Sequence, residues 1–247
     1  MVWDRGMRRA IAGGAMALCL GLASAAAADT MVVRASGPSA KNYPPGTKLA
    51  DGGMVALKAG DVVTLLDAKG TRTLRGPGSF GVTAAAGTAP SSNVTLAALL
   101  DTKRVRRART GAVRGAVGDA PAAPPRRPNL WLVDVAQPGA LCFADGSAVR
   151  LWRADAAKPA SVRISGAGAH AVANFAAGDA ITSWPASLPV KNGSAYRIEI
   201  GARATDIRFE QLGPIEPGLD KVAGGLIEHG CAAQLDLLVD STALAGK

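Results

Sequence analysis

Short apolar stretches with a two-residue period, separated by glycine turns, restrict the fold of this chain more than any other feature. Tyr196, Ile198 and Ile200 alternate with charged residues, so one side of this stretch suits a core and the other suits water. The dipeptide Asn192–Gly193 directly before it is a strong hairpin signal. Because similar stretches recur along most of the chain, the sequence predicts a mainly all-β protein.

Residues 29–88 predict a small rolled β-sheet or barrel of about five strands. Val62, Thr64 and Leu66 lie on one side of a predicted strand. Glycine-containing pairs such as Gly60–Asp61 stand where tight turns would join neighbouring strands. Aromatic residues make up only 4% of the chain, so we expect cores built mainly from Val, Leu and Ile.

Residues 130–213 predict a second β-domain, an Ig-like β-sandwich. Its six or seven candidate strands recur about every ten residues and are bounded by turn residues. The chain's scarce aromatic residues become more frequent here. We therefore expect Trp131, Trp152 and Trp184 to contribute to the core of the sandwich.

Residues 214–247 predict a C-terminal helical segment and no further strands. Leu219, Val222 and Leu226 recur at helical spacing, and Gly230 follows where such a helix would end. A second apolar stripe of the same period comes directly after it. Because both stripes must be buried, we expect this segment to pack on the sandwich.

Residues 1–28 have the organisation of a secretory signal peptide. Three arginines precede the apolar run Ala10–Ala25, and small residues continue to a predicted cleavage site after Ala28. The run is shorter than the ~20 residues of a membrane-spanning helix, and Cys19 lies inside it, away from a lipoprotein cleavage position. We therefore expect a periplasmic protein without a transmembrane segment in its mature part. An uncleaved N-terminal anchor is the alternative.

Export changes the interpretation of the cysteines. Removal of the signal peptide leaves Cys142 and Cys231. An even pair in an oxidising compartment favours one disulfide, which would close a long loop and constrain the unfolded chain. Two separate buried thiols are the alternative.

The basic character of the chain is concentrated between Lys103 and Arg127, where eight basic residues accompany one acid. Outside this stretch and the signal peptide, basic and acidic residues are equal in number. Residues 89–129 therefore predict one short helix followed by a basic linker rich in Pro and Ala.

Outside the cytoplasm, the basic stretch would contact anionic lipid headgroups, envelope polymers or an acidic envelope protein, and not nucleic acid. The candidate residues for this contact are Lys103, Arg104, Arg106, Arg107, Arg109 and Arg114. A passive solvated linker is one alternative. A disordered segment that orders on a protein partner is another.

Catalytic and metal-binding patterns are scarce. The mature chain has two histidines, His170 in an alternating strand and His229 at a predicted helix end, and both fit structural or surface roles. No nucleophile elbow, zinc-protease motif or phosphate-binding loop occurs in the sequence. We therefore expect a protein that is not an enzyme and that uses no cofactor or metal.

The stretch Tyr43–Phe80 resembles the FecR-like periplasmic domain. The shared pattern is a Gly–Asp turn before an apolar strand, then an Asp-x-x-Gly turn that opens a strand ending in Gly-Pro-Gly. The resemblance implies a β-rich module outside the cytoplasm that serves signalling or assembly and carries no catalytic residues. The second half looks like a companion domain of unknown function found beside such modules in secreted bacterial proteins.

These features predict an exported, non-enzymatic envelope protein that acts as a binding or scaffold module. An accessory component of a FecR-like signalling system that contacts a membrane sensor is the first alternative. The anti-sigma segment and membrane helix of the family's regulators have no counterpart in the sequence, so sigma-factor control is not expected. An envelope enzyme with an unrecognised site is the second alternative.

Replacing the arginines from Arg104 to Arg114 with alanine should leave folding intact and remove binding to anionic surfaces. Each cation near such a surface contributes about 1 kcal/mol, and salt screens the attraction. Co-sedimentation with anionic and with neutral lipid vesicles measures this binding. Equal retention of the variant and the wild type on anionic vesicles would exclude the surface-binding role.

Overall fold

A computed structural model describes residues 30–83, 92–101, 127–214 and 218–243. These residues form mainly β-structure with three short helices, which confirms the predicted all-β class with a C-terminal helical segment. In the part of the chain described here, no helix is long and apolar enough to cross a membrane. The predicted signal peptide, residues 1–28, lies outside the described residues.

The first half of the chain forms two small sheets of short strands joined by tight turns. The four-stranded sheet contains, in spatial order, β2 (Lys48–Leu49), β1 (Thr30–Ser36), β4 (Val62–Asp67) and β5 (Gly70–Arg75). The two-stranded sheet contains β3 (Met54–Leu57) and β6 (Gly78–Gly81). All pairs are antiparallel, as short hairpin connections require.

One apolar cluster fills the space between these two sheets. It takes alternate residues of the strands, because successive side chains of a strand point to opposite faces. Its buried members are Val32, Val55, Leu57, Val63, Leu65, Leu74 and Val82. The first half is therefore a small rolled β-structure, with six strands in place of the five or so expected.

Asp61 joins separate segments of this rolled structure. Its buried carboxylate accepts hydrogen bonds from the backbone N–H groups of Ser39, at 2.8 Å, and Lys58, at 2.5 Å. Gly37, with φ of +101°, passes so close that an added Cβ would lie 2.6 Å from the Asp61 carboxylate. Burial alone would raise the pKa of Asp61, but the bonds from Ser39 and Lys58 and the charge of Lys58 hold it below its usual value.

The second half forms two further sheets. The five-stranded sheet contains, in spatial order, β11 (Ala169–Phe175), β10 (Ala160–Gly166), β13 (Ala195–Ile200), β14 (Arg203–Gln211) and β8 (Gly139–Phe143). The three-stranded sheet contains β12 (Ile181–Ser183), β9 (Arg150–Trp152) and β7 (Leu132–Asp134). β8 is parallel to β14 and β7 to β9. The sequence did not predict β8 or β12.

Apolar side chains from both sheets of the second half form one cluster, as in a β-sandwich. Trp184, Tyr196 and Phe209 pack edge to face within it, with ring centroids 5.1 to 6.0 Å apart. Of the three tryptophans expected in this core, only Trp184 lies there. Trp152 belongs to a separate small cluster, and Trp131 belongs to the cluster between the two halves.

Three helices, α1 (Ser92–Leu100), α2 (Leu219–Glu228) and α3 (Ala232–Ser241), connect the two halves. Their buried side chains join strands of both halves in one cluster. Its members from outside the helices include Met31, Val33 and Leu66 of the first sheet and Leu130, Trp131 and Cys142 of the second half. The sequence predicts that the C-terminal helices pack on the sandwich. They also cover the first sheet, so the two halves share a core.

Asp61→Asn should destabilise the protein at neutral pH and flatten its pH dependence in acid. The pKa of folded Asp61 lies below its ordinary value of 3.8. The stability contributed by this carboxylate is therefore complete above the unfolded pKa and is lost as pH falls through the folded pKa. Urea unfolding between about pH 6 and pH 2 measures the effect. Asp51→Asn, at an exposed turn, is the control, and equal pH profiles for wild type and Asp61→Asn would contradict this role.

Candidate functional site

Helix α3 is attached to the sandwich by a buried amide and a cysteine pair. The side-chain oxygen of Gln234 accepts a hydrogen bond from the N–H of Cys142 at 2.6 Å. The Gln234 nitrogen donates to the carbonyl oxygens of Leu130 and Cys142, each at 2.8 Å. The Sγ atoms of Cys142 and Cys231 lie 1.96 Å apart, at disulfide-bonding distance. The pair proposed from the sequence is thus brought together where β8 meets the start of α3.

Arg127 is buried, although the sequence placed it in a solvated linker. Its guanidinium donates to the carbonyl oxygens of Leu132, at 3.1 Å, and Ala233, at 2.8 Å. Burial lowers the pKa of Arg127, and the charge of Asp134 opposes that effect. Arg127 and Asn129, at the C-terminal end of the predicted linker 89–129, are therefore buried.

The opposite side of α3 contacts the first sheet. The guanidinium of Arg34 pairs with Asp236 and, at 3.0 Å, with Asp240. Thr71 of β5 donates its N–H to the carbonyl oxygen of Thr242 and its hydroxyl to that of Val239, both at 2.9 Å. The ion pairs are partly exposed and contribute little stability. The buried apolar side chains must therefore supply most of the attachment.

The two described ends of the basic stretch meet at one place. Asn129 donates its side-chain N–H to the carbonyl oxygen of Asp101 at 2.8 Å. Trp131 donates its ring N–H to the carbonyl oxygen of Leu100 at 3.2 Å. The backbone N–H of Leu130 donates to the carbonyl oxygen of Leu99. The chain therefore leaves α1 and re-enters the second half at the same point of the structure.

A groove of about 550 Å³ lies beside the first turns of α3, where the face of the first sheet extends past the helix. We call it the junction groove. Its lining includes Pro45, Val62, Thr64, Thr73, Arg75 and Leu235. The Thr64 and Thr73 hydroxyls are 3.2 Å apart. Arg34 and Asp236, which pair with each other, also line the groove, so its lining carries both cationic and acidic groups beside hydroxyls.

The histidines considered from the sequence lie apart from each other. His170 is exposed on β11, and His229 follows α2 beside a smaller depression of about 180 Å³ with Lys221 and Glu228. Within residues 30–83, 92–101, 127–214 and 218–243, no group of three or more His, Cys, Asp or Glu is arranged to hold a metal ion. The proposed surface residues Lys103, Arg104, Arg106, Arg107, Arg109 and Arg114 lie outside the described residues.

Sequence reasoning missed three buried polar residues that bond to backbone groups: Asp61 in the first half, and Arg127 and Gln234 beside α3. Gln234 interrupts the apolar stripe of α3 three residues after Cys231, a placement that signals a buried hydrogen-bonding role. Arg127 had no such signal, because it stands among prolines and other arginines. Asp61 was assigned only to a turn.

Comparisons of this chain with family models, curated proteins and solved structures find no match. The architecture and the site must therefore carry the functional inference on their own.

Replacing both Cys142 and Cys231 with alanine should lower the free energy of unfolding by about 3–4 kcal/mol, because the bond closes a long loop of the unfolded chain. The two residues are 89 positions apart. Urea unfolding of the variant and the wild type measures the difference. Alkylation of the denatured, processed wild-type protein is the companion test, and two reactive thiols would contradict the disulfide.

Proposed function

We propose that this protein is an exported, non-enzymatic envelope protein that binds an anionic surface or an acidic protein partner. In this proposal, its two β-structures and three helices form the scaffold, and its basic stretch makes the contact. The hydrogen bond between Asn129 and Asp101 carries the proposal, because it brings together the residues that flank the basic stretch on either side.

The roles of the buried polar side chains support a scaffold. Asp61, Arg127 and Gln234 bond to backbone groups of other segments of the chain. Each of these side chains therefore stabilises the architecture. Such fully bonded buried groups favour one arrangement over its competitors, because each competitor would leave a buried polar group unpaired.

The compartment in this proposal follows from three observations. The N-terminal residues have the pattern of a signal peptide. Cys142 and Cys231 lie at disulfide-bonding distance, and disulfides persist mainly in oxidising compartments. The first half resembles FecR-like modules, which work outside the cytoplasm. Anionic lipids, envelope polymers and acidic envelope proteins are the partners available there.

Cross-linking and pull-down from periplasmic and membrane fractions test this function. We expect the wild type to capture a partner and the Arg104–Arg114 alanine variant to lose it, because the electrostatic contact is removed. The control replaces three exposed arginines of the sandwich, Arg163, Arg203 and Arg208, with alanine. This control should capture the partner as the wild type does.

Capture by all three proteins would assign the contact to the β-structures and overturn the role of the basic stretch. Arg75→Glu would then test the junction groove, because it reverses the charge of a residue that lines the groove. Absence of capture by any protein, together with no retention on anionic vesicles, would contradict a binding function.

A further inference from the structure

The outermost strand of the five-stranded sheet, β11, has one edge without a hydrogen-bonded strand among the described residues. β12 of the other sheet lies near β11 and does not pair with it. Its other edge pairs with β10 over the whole of Ala169–Phe175, without a register shift. Val172 lies at the centre of β11, and 54% of it is exposed. Only Met54 is a more exposed large apolar residue in the described part of the chain.

The hairpin register determines which backbone groups of β11 face outward. β10 and β11 are joined by the two-residue turn Ala167–Gly168, in which both φ angles are positive, 51° and 77°, as in a type I′ turn. Ala169 and its partner across this turn exchange both backbone hydrogen bonds. Because bonding direction alternates along a strand, His170, Val172 and Asn174 direct their N–H and C=O groups away from β10.

The next hairpin of the sheet shows the same alternation of backbone hydrogen-bonding direction. β13 and β14 are joined by a two-residue turn that places Ile200 opposite Arg203, so Ile200 and Ile198 bond to β14 and Glu199 bonds to β10. Glu199 pairs with Arg163, which leaves the residues on either side of Arg163 to bond to β11. The alternation is therefore consistent across the four strands.

The edge of β11 lacks the features that usually prevent strand addition. Exposed edges are commonly protected by lysines, prolines or bulges. β11, with the sequence AHAVANF, has no charged residue, no proline and an unbroken register. By contrast, β5 at the edge of the first sheet carries Arg72 and Arg75, and the N–H of Thr71 bonds to Thr242. β11 is therefore suited to pairing with another strand.

We propose that β11 pairs antiparallel with β11 of a second copy of this chain, across a two-fold axis at Val172. The seven-residue strand is centred on Val172, so its three outward-facing positions are symmetric about that axis. Val172 then lies opposite Val172, and His170 lies opposite Asn174. This register uses every outward N–H and C=O group of both strands in about six hydrogen bonds, and it makes the two sheets continuous.

Charge and side-chain chemistry favour a second copy as the occupant. A two-fold interface places each patch against itself, so a charged strand would repel its copy, whereas β11 is neutral. Opposed β-branched residues such as Val172 are a favourable cross-strand pair. The cation opposite Val172 is Arg163 on β10. Two Arg163 residues would be three strand spacings apart, about 14 Å, beyond the Debye length of about 8 Å at physiological salt.

Sedimentation equilibrium of the processed protein over a concentration series tests the proposal. We expect a reversible dimer for the wild type. Val172→Pro removes the outward N–H without removing a bond to β10, so about two hydrogen bonds across the axis are lost. The dissociation constant should rise roughly 10- to 100-fold.

Val172→Lys is the second disruptive variant and covers the case in which proline disturbs folding. It places like charges opposite each other across the axis, while its side chain remains in solvent in the monomer. Val172→Thr keeps both the N–H and the branched shape, so its dissociation constant should stay within about threefold of the wild type. Met54→Thr, which removes the other exposed apolar side chain, should have no effect. Circular dichroism and thermal unfolding verify that each variant is folded.

A wild-type protein that remains monomeric at ~0.5 mM would overturn the proposal, because about six backbone hydrogen bonds and a Val172 pair should give a tighter dimer. A dimer insensitive to both Val172→Pro and Val172→Lys would place the interface elsewhere and also overturn it. A monomeric wild type that binds a strand of a different protein at β11 would replace self-pairing with strand donation.

Discussion

Burial of α3 between the two β-structures is the constraint on which the rest of the fold depends. One side of the helix lies over β1 and β5 of the first sheet, and the other lies over β8 of the sandwich. Leu238 is fully buried between them, and a buried leucine contributes about 1.5–3 kcal/mol through its apolar area. Without α3, apolar faces of both halves would be exposed to water.

Apolar burial alone would allow α3 to shift or rotate, because it has no direction. The polar contacts supply the direction. Gln234 bonds to both backbone groups of Cys142, and Arg127 reaches the carbonyl of Ala233 at the start of the helix. A shifted helix would leave these buried groups unpaired, at a cost of about 1–3 kcal/mol each. Cys142 and Cys231 lie at disulfide-bonding distance at the same junction.

This junction also determines where the candidate binding surfaces lie. α1 packs into the shared core and brings Asp101 against Asn129, the residues that flank the basic stretch. The junction groove opens beside α3. β11 lies at the far edge of the five-stranded sheet, with β8 and α3 at the opposite edge. Self-pairing through β11 would therefore leave the groove and the base of the basic stretch accessible in both copies.

The sequence by itself determined the local structure: the alternating strands, the turns at Gly60–Asp61 and Asn192–Gly193, the two C-terminal helices and the cysteines that meet. These features depend on periodicity and turn chemistry, which are local. Only the tertiary structure decided that the halves share a core, that Trp131 lies outside the core of the sandwich, and that Arg127 is buried. Each of those outcomes depends on which distant backbone or apolar surface a residue meets, and a single sequence does not encode that partner in any local pattern.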